Sequence, residues 1–174
     1  STSYTIFTVF NASSLATDDH EILSVFYDAD GNFTNANNSG NGILLEIAQT
    51  TGYFHILHRS PMGVSSGNSF SSTTHISINQ PYIISYTRNL PAGTATVWLN
   101  NTAIIGGGAV SSSATNGAFD YYPLNFTIGA LNDSRYKYFQ GQISEIIIFN
   151  RALTQDGIDA IEFYLSKKYS ITLN

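Results

Sequence analysis

Nine short apolar segments, each closed by a turn-rich break, constrain this chain more than anything else in it. They are "YTIFTVF" (Tyr4 to Phe10), "EILSVFYD" (Glu21 to Asp28), "GILLEIA" (Gly42 to Ala48), "YFHILHR" (Tyr53 to Arg59) and "THISI" (Thr74 to Ile78). The second half adds "YIISYTR" (Tyr82 to Arg88), "ATVWLN" (Ala95 to Asn100), "LNFTIGA" (Leu124 to Ala130) and "QISEIIIFN" (Gln142 to Asn150). β-Branched and aromatic residues dominate them, and Gly, Pro, Asn or Ser bound them, which is the signature of strands. Some nine or more strands without interleaved helices predict an all-β fold, a two-sheet antiparallel sandwich or jelly roll.

The breaks agree with that reading. Pro91 and Gly93 in "LPAGTA" set a tight turn between two strands, and Asn100-Asn101 turns "ATVWLN" into a short return strand. Two Asn/Ser/Gly-rich stretches, Asp28 to Gly42 and Ser60 to Ser72, read as long loops, the kind that often carries function.

One segment has helical spacing. In "RALTQDGIDAIEFYLSKKY", Thr154 suits an N-cap, Asp156 lies in the first turn and Lys167 and Lys168 in the last, so a helix is expected over about 154–168. Ile158, Ile161 and Leu165, with Tyr164 beside them, give it an apolar face that must be buried. Gly157 disfavours the helix by about 1 kcal/mol relative to Ala, so packing must hold it. The strand Ile146 to Phe149, four apolar residues in a row, is the natural surface if both its faces are covered.

Composition then removes whole classes of function. The chain has 174 residues, 43% of them hydrophobic, enough for one domain over 1–174, read as a piece of a longer protein. Charged residues are only 11%, against about 25% in typical soluble proteins, so Ser, Thr, Asn, Gln and Gly supply the polar surface. A net charge of −5, with Lys167 and Lys168 the only adjacent cations, argues against a nucleic-acid partner. No apolar run approaches the ~20 residues of a membrane span, so no membrane insertion is expected. The absence of cysteine excludes disulfides, thiol nucleophiles and Cys-ligated metals.

From Pro123 to Ile171 the sequence resembles the C-terminal signature of laminin G-like jelly-roll domains, within the concanavalin A-like lectin and glucanase superfamily. The residues that carry the likeness are Ile128-Gly129, "YFQGQISEI", the turn Asn150 to Leu153 and Lys168-Tyr169. "YTIFTVFN" and "VWLNN" are similar to the family's first strand and its Asn-Gly hairpin. The resemblance covers most of the chain but is specific over the last ~50 residues. It departs at Gly157, where relatives often carry a Glu that completes a capping box. The resemblance implies a sandwich whose face or rim binds sugars, proteins or lipids, sometimes through calcium.

Each chemistry asks for its own residues. Glycoside hydrolysis needs two carboxyls about 5 to 5.5 Å apart in its retaining form. No strand here carries the Glu-x-Asp-x-x-Glu run, and Glu21, Glu46, Glu145 and Glu162 each stand without an acid at that spacing. His55 and His58, three apart on one strand, fall on opposite faces, which defeats chelation; His20 and His75 have no visible partner in the sequence. In "DADGN", Asp28, Asp30 and Asn32 offer the hard oxygens that calcium takes, although a plain β-turn is the simpler reading. Sugar binding calls for flat aromatics beside amides, carboxylates or guanidinium groups. The best cluster is Asp120, Tyr121 and Tyr122 with Asn132, Asp133, Arg135, Tyr136 and Tyr138, on two loops flanking "LNFTIGA". Trp98, between Val97 and Leu99, is expected in the core. Six Asn-x-Ser/Thr sequons reflect the composition.

The expectation is therefore a non-catalytic, lectin-like module of a surface, secreted or virus-particle protein, with a glycan or surface polysaccharide as partner. A structural or protein-interaction domain on the same fold is the alternative.

Overall fold

The computed structural model describes residues 3–16, 18–28, 39–59, 67–89, 91–109, 124–131 and 137–174. Along the chain run β1 (Tyr4–Ala12), β2 (His20–Asp28), β3 (Ser39–Ile47), β4 (Tyr53–Arg59), β5 (Gly67–His75) and β6 (Pro81–Asn89). They are followed by β7 (Thr94–Leu99), β8 (Thr102–Ala109), β9 (Leu124–Ile128), β10 (Gly141–Phe149) and the helix α1 (Gln155–Tyr169). The strands form two antiparallel five-stranded sheets, ordered β10-β1-β6-β7-β8 and β5-β4-β3-β2-β9. The chain groups into two compact units, Ser1–Ser13 with Ser77–Val110 and Gly141–Asn174, and Ser14–Ile76 with Ser111–Gln140.

The first unit holds the first sheet and α1. Strand β1, paired between β10 and β6, is buried along almost its whole length. Phe7 and Val9 of β1, Ile83 of β6 and Trp98 of β7 form a cluster with Ile158 and Leu165 of the helix, so the expected burial of Trp98 and of the helical stripe holds. Thr154 caps the helix by accepting the Gly157 N–H at 3.4 Å, and Ser170 closes it in the left-handed region. The turn after β10 is fastened by one buried hydroxyl: Thr5 Oγ1 donates to Arg151 O at 2.9 Å and accepts the Leu153 N–H at 3.0 Å. Asn100 and Asn101 both have positive φ, 48° and 69°, as a two-residue hairpin turn demands.

Two expectations in this unit change. Tyr164 is 49% exposed: six residues beyond Ile158, it lies about a third of a turn around the helix from it, off the buried stripe. Glu162 takes the buried place, four after Ile158 and three before Leu165, and is fully buried. The run Ile146 to Phe149 is not covered on both faces. Ile147 and Phe149 pack against the helix cluster, while Ile148 is 47% exposed, because β10 is the outermost strand of its sheet.

Glu162 is tied into the sheet by Ser85, whose hydroxyl donates to Oε1. With its amide nitrogen turned to the helix, Asn101 donates to Glu162 Oε2 at 3.3 Å and to Asp159 Oδ1 at 2.9 Å. Burial first, and then the charge of Asp159, raise the Glu162 carboxyl to about 7 against the pull of Ser85 and Asn101. The folded chain thus keeps a proton that the unfolded chain loses near its ordinary value of 4.5, so this group's contribution to stability falls as pH rises from about 4.5 to 7. Glu162→Gln is expected to remove that decline, up to about 3 kcal/mol across the window. Thermal melts of both proteins from pH 4 to 8 would measure it, and parallel profiles would refute it.

The second unit holds the other sheet. Leu23, Val25, Ile43, Leu45, Ile47, Phe54 and Ile56 are buried side chains of β2, β3 and β4. Leu44 and Leu57 pack with Leu131 in a separate small cluster. Here the expected strand Thr74–Ile78 shifts: β5 runs from Gly67 to His75, so it begins inside the stretch read as a loop from Ser60 to Ser72. Small polar residues on an exposed outer strand, Ser71, Thr73 and Thr74, carry no apolar alternation by which to recognise it. Likewise Ser39 to Gly42, read as loop, begin β3.

Candidate functional site

The register of the second sheet places Glu21 of β2 opposite Glu46 of β3, Glu46 opposite His55 of β4, and His55 opposite Ser71 of β5. Directly opposed residues share a face and stand about 5 Å apart at Cβ, so the four side chains form one row across the sheet. Two residues before His55, on the same face, lies Tyr53, whose ring meets that of His75 at 4.2 Å with a 37° tilt. Tyr53 is half-buried and His75 exposed.

A cation is delivered to the row from outside the sheet. The Glu21 N–H donates to Lys137 O at 3.1 Å, Tyr138 bridges Glu21 in parallel, and His20 Nδ1 donates to Tyr138 O at 3.2 Å. This strapping fixes Lys137 at φ 53°, a left-handed conformation uncommon for a side chain of its size. From there its Nζ donates to Asp19 Oδ2 at 2.8 Å and to Glu46 Oε2 at 3.2 Å. Asp19 is itself held by the Gln49 N–H, which donates to Oδ1 at 2.9 Å. The other Glu46 oxygen, Oε1, is bonded to His55 Nδ1.

The two glutamates divide their protonation. Glu21 is fully buried, and among the described residues no N–H or O–H donates to either of its oxygens. Burial, then the hydrogen bond to Glu46 and its charge, raise the Glu21 carboxyl far above the carboxylate range, so that it carries the proton. Burial also acts to raise Glu46, but the bonds from His55 and Glu21 and the charge of Lys137 outweigh it and hold that carboxyl below its usual range. Burial disfavours the Lys137 ammonium, and Asp19 and Glu46 more than compensate, raising its pKa. Such an arrangement is suited to holding and orienting groups. A carboxyl as deeply buried as Glu21 cannot reach a substrate bond to give or take a proton.

This row is absent from the sequence reading, which sought acids along one strand. Glu21 and Glu46 become neighbours only through strand pairing. His20 and His75, partnerless in the sequence, are engaged through Tyr138 O and through Thr51 O and Tyr53. The sugar-site residues expected on the loops, Asp120, Tyr121, Tyr122, Asn132, Asp133, Arg135 and Tyr136, lie outside the described residues. So do Asp30 and Asn32 of the expected calcium site, and of Asp28 only the backbone, at the end of β2, is described. Among the described residues no cluster of three or more His, Asp or Glu is arranged to hold a metal ion.

A surface groove of about 490 Å³ lies in the first unit, lined by Phe163, Ser166, Lys167, Ser170, Ile171, Thr172 and Leu173. Its aromatic face is already taken, since Lys167 Nζ stands 5.2 Å from the centroid of the Phe163 ring. The Tyr53–His75 pair with its polar row is the better constellation.

No model of a known protein family matches the chain, and no curated protein matches it by sequence. Solved structures do match. The CBM40 domain of the Ruminococcus gnavus IT-sialidase superposes with a TM-score of 0.69 at 15% identity, over 92% of this chain and 82% of that one. The SAP-like pentraxin of Limulus polyphemus gives 0.60 at 14% identity, over 92% and 70%. A carbohydrate-binding protein from Bacteroides ovatus, so described in its name with the word putative, gives 0.58 at 16% identity, over 90% of this chain and 40% of its own. These likenesses show the fold, a two-sheet antiparallel jelly roll. This chain spans less than half of the Bacteroides protein.

Proposed function

We propose that this lectin-like domain is a non-catalytic, laminin G-like glycan-recognition module of a surface, secreted or particle-borne protein. The observation that carries the reading is the Tyr53–His75 ring pair beside a fixed row of hydrogen-bonding groups, Ser71, His55, Glu46, Lys137 and Asp19. Rings take the C–H face of a sugar and the row takes its hydroxyls. Two similar structures add support, the R. gnavus CBM40 domain, which is also recorded bound to α2,3-sialyllactose, and the Bacteroides protein. The loops bearing Tyr121, Tyr122, Arg135 and Tyr136 are proposed as a second set of contacts, and calcium at Asp28, Asp30 and Asn32 as an accessory.

Glycan-array binding followed by calorimetry tests this. Tyr53→Ala and His75→Ala are each expected to weaken binding at least tenfold, about 1.4 kcal/mol, with melting temperature little changed. Binding that survives both substitutions would move the site to the loops, and the absence of any bound glycan would end the reading.

The alternative, a protein-interaction domain, draws on one observation. Phe126 and Ile128, two apart on the outer strand β9, are 57% and 61% exposed. Such a pair on a strand edge is what a partner strand covers.

A further inference from the structure

We propose that the Tyr53–Glu46 face selects neutral glycans and discriminates against acidic ones, sialylated chains included; this rests on the glycan-recognition reading above. An acidic sugar needs a cationic donor that is not already matched, since recognition of a carboxylate or sulfate is driven by charge-assisted hydrogen bonds. Lys137 supplies the only cationic ammonium or guanidinium that the described residues bring to this row, and it is spoken for on two sides, by Asp19 at 2.8 Å and Glu46 at 3.2 Å. With a carboxylate on each of two sides, this ammonium has no unmatched positive charge to offer an anionic ligand.

The ring partners do not alter this. His75 donates its Nδ1 proton to the Thr51 carbonyl, and His55 is bonded to Glu46. Ser71 adds only a neutral hydroxyl. A neutral sugar meets this face favourably, because its hydroxyls are donors and the part-exposed Asp19 is a strong acceptor. The strapping of Lys137 in a left-handed conformation keeps its ammonium between the carboxylates instead of letting it swing toward a ligand.

The test is an array of matched glycans, each backbone printed with and without terminal sialic acid, probed with the wild type and with Asp19→Asn. The amide introduced by Asp19→Asn would keep an oxygen acceptor for the Gln49 N–H while freeing one side of the ammonium. The inference expects the wild type to bind desialylated chains at least tenfold more tightly than their sialylated counterparts, and Asp19→Asn to narrow that ratio at least threefold. Preferential capture of the sialylated chains overturns the inference while leaving glycan recognition standing, and would mean that a cation outside the described residues serves the site. A preference that Asp19→Asn leaves untouched overturns the charge argument. Capture of neither set removes the inference together with the reading beneath it.

Discussion

Glu46→Ala is expected to lower the unfolding free energy by about 3–5 kcal/mol, the range for removing one partner of a buried ion pair. The loss is large because Glu46 serves three groups at once: it accepts from Lys137, is bonded to His55 and faces the proton of Glu21. Removing it leaves a half-buried ammonium with Asp19 alone and a buried carboxyl with nowhere to direct its proton. Denaturant unfolding at constant m-value would measure the effect, and a shift below about 1 kcal/mol would show that the row contributes little. Glu21→Gln supplies the control. Its amide donates permanently to Glu46, so at pH 7 the change should stay within about 1 kcal/mol, the worth of one hydrogen bond. Because the folded-state value of Glu21 is raised, wild-type stability from this group declines as pH climbs above the unfolded value of 4.5, and the Gln variant should lack that decline.

Leu165→Ala should destabilise by about 2–5 kcal/mol, as buried Leu-to-Ala changes do. Leu165 is fully buried in the cluster with Phe7, Val9, Ile83 and Trp98, and helix and sheet cannot collapse fully onto the space it leaves. Tyr164→Ala, one residue away but half exposed, should change stability by about 0.5 kcal/mol or less. Equal effects at the two positions would mean that the helix is rotated from the orientation described. Calorimetric melts with matched far-ultraviolet circular dichroism would separate loss of docking from loss of helix.

These contrasts mark what the sequence could disclose. Period and capping were legible: Thr154, Ile158, Ile161 and Leu165 located the helix, and β-branched runs located most strands. The same period pointed to position 162 as buried, but a glutamate there reads as a surface residue until Ser85 and Asn101, remote in sequence, are seen to satisfy it. β5 escaped notice because an outer strand of Ser and Thr needs no apolar face. The Tyr53–Glu46 row escaped for a stricter reason: its members are joined by strand register across β2, β3, β4 and β5, with Lys137 brought to Glu46 from 91 residues away, and no window on the sequence contains them together. The aromatic-rich loops were the more conspicuous signal, since local clustering is what a linear reading can see.

The pairing of β1 with β10 imposes an order on synthesis. β1 is available almost as soon as translation of the segment starts, yet the strand that covers one of its edges is encoded some 130 residues later. At ribosomal speeds that interval is on the order of ten seconds. Throughout it, a largely apolar strand has an open flank that its neighbour β6 cannot shield. Completion of this sheet is therefore a late, long-range closure of the kind that folds slowly and invites wrong partners, and a nascent chain halted before Gly141 should be the species that chaperones hold.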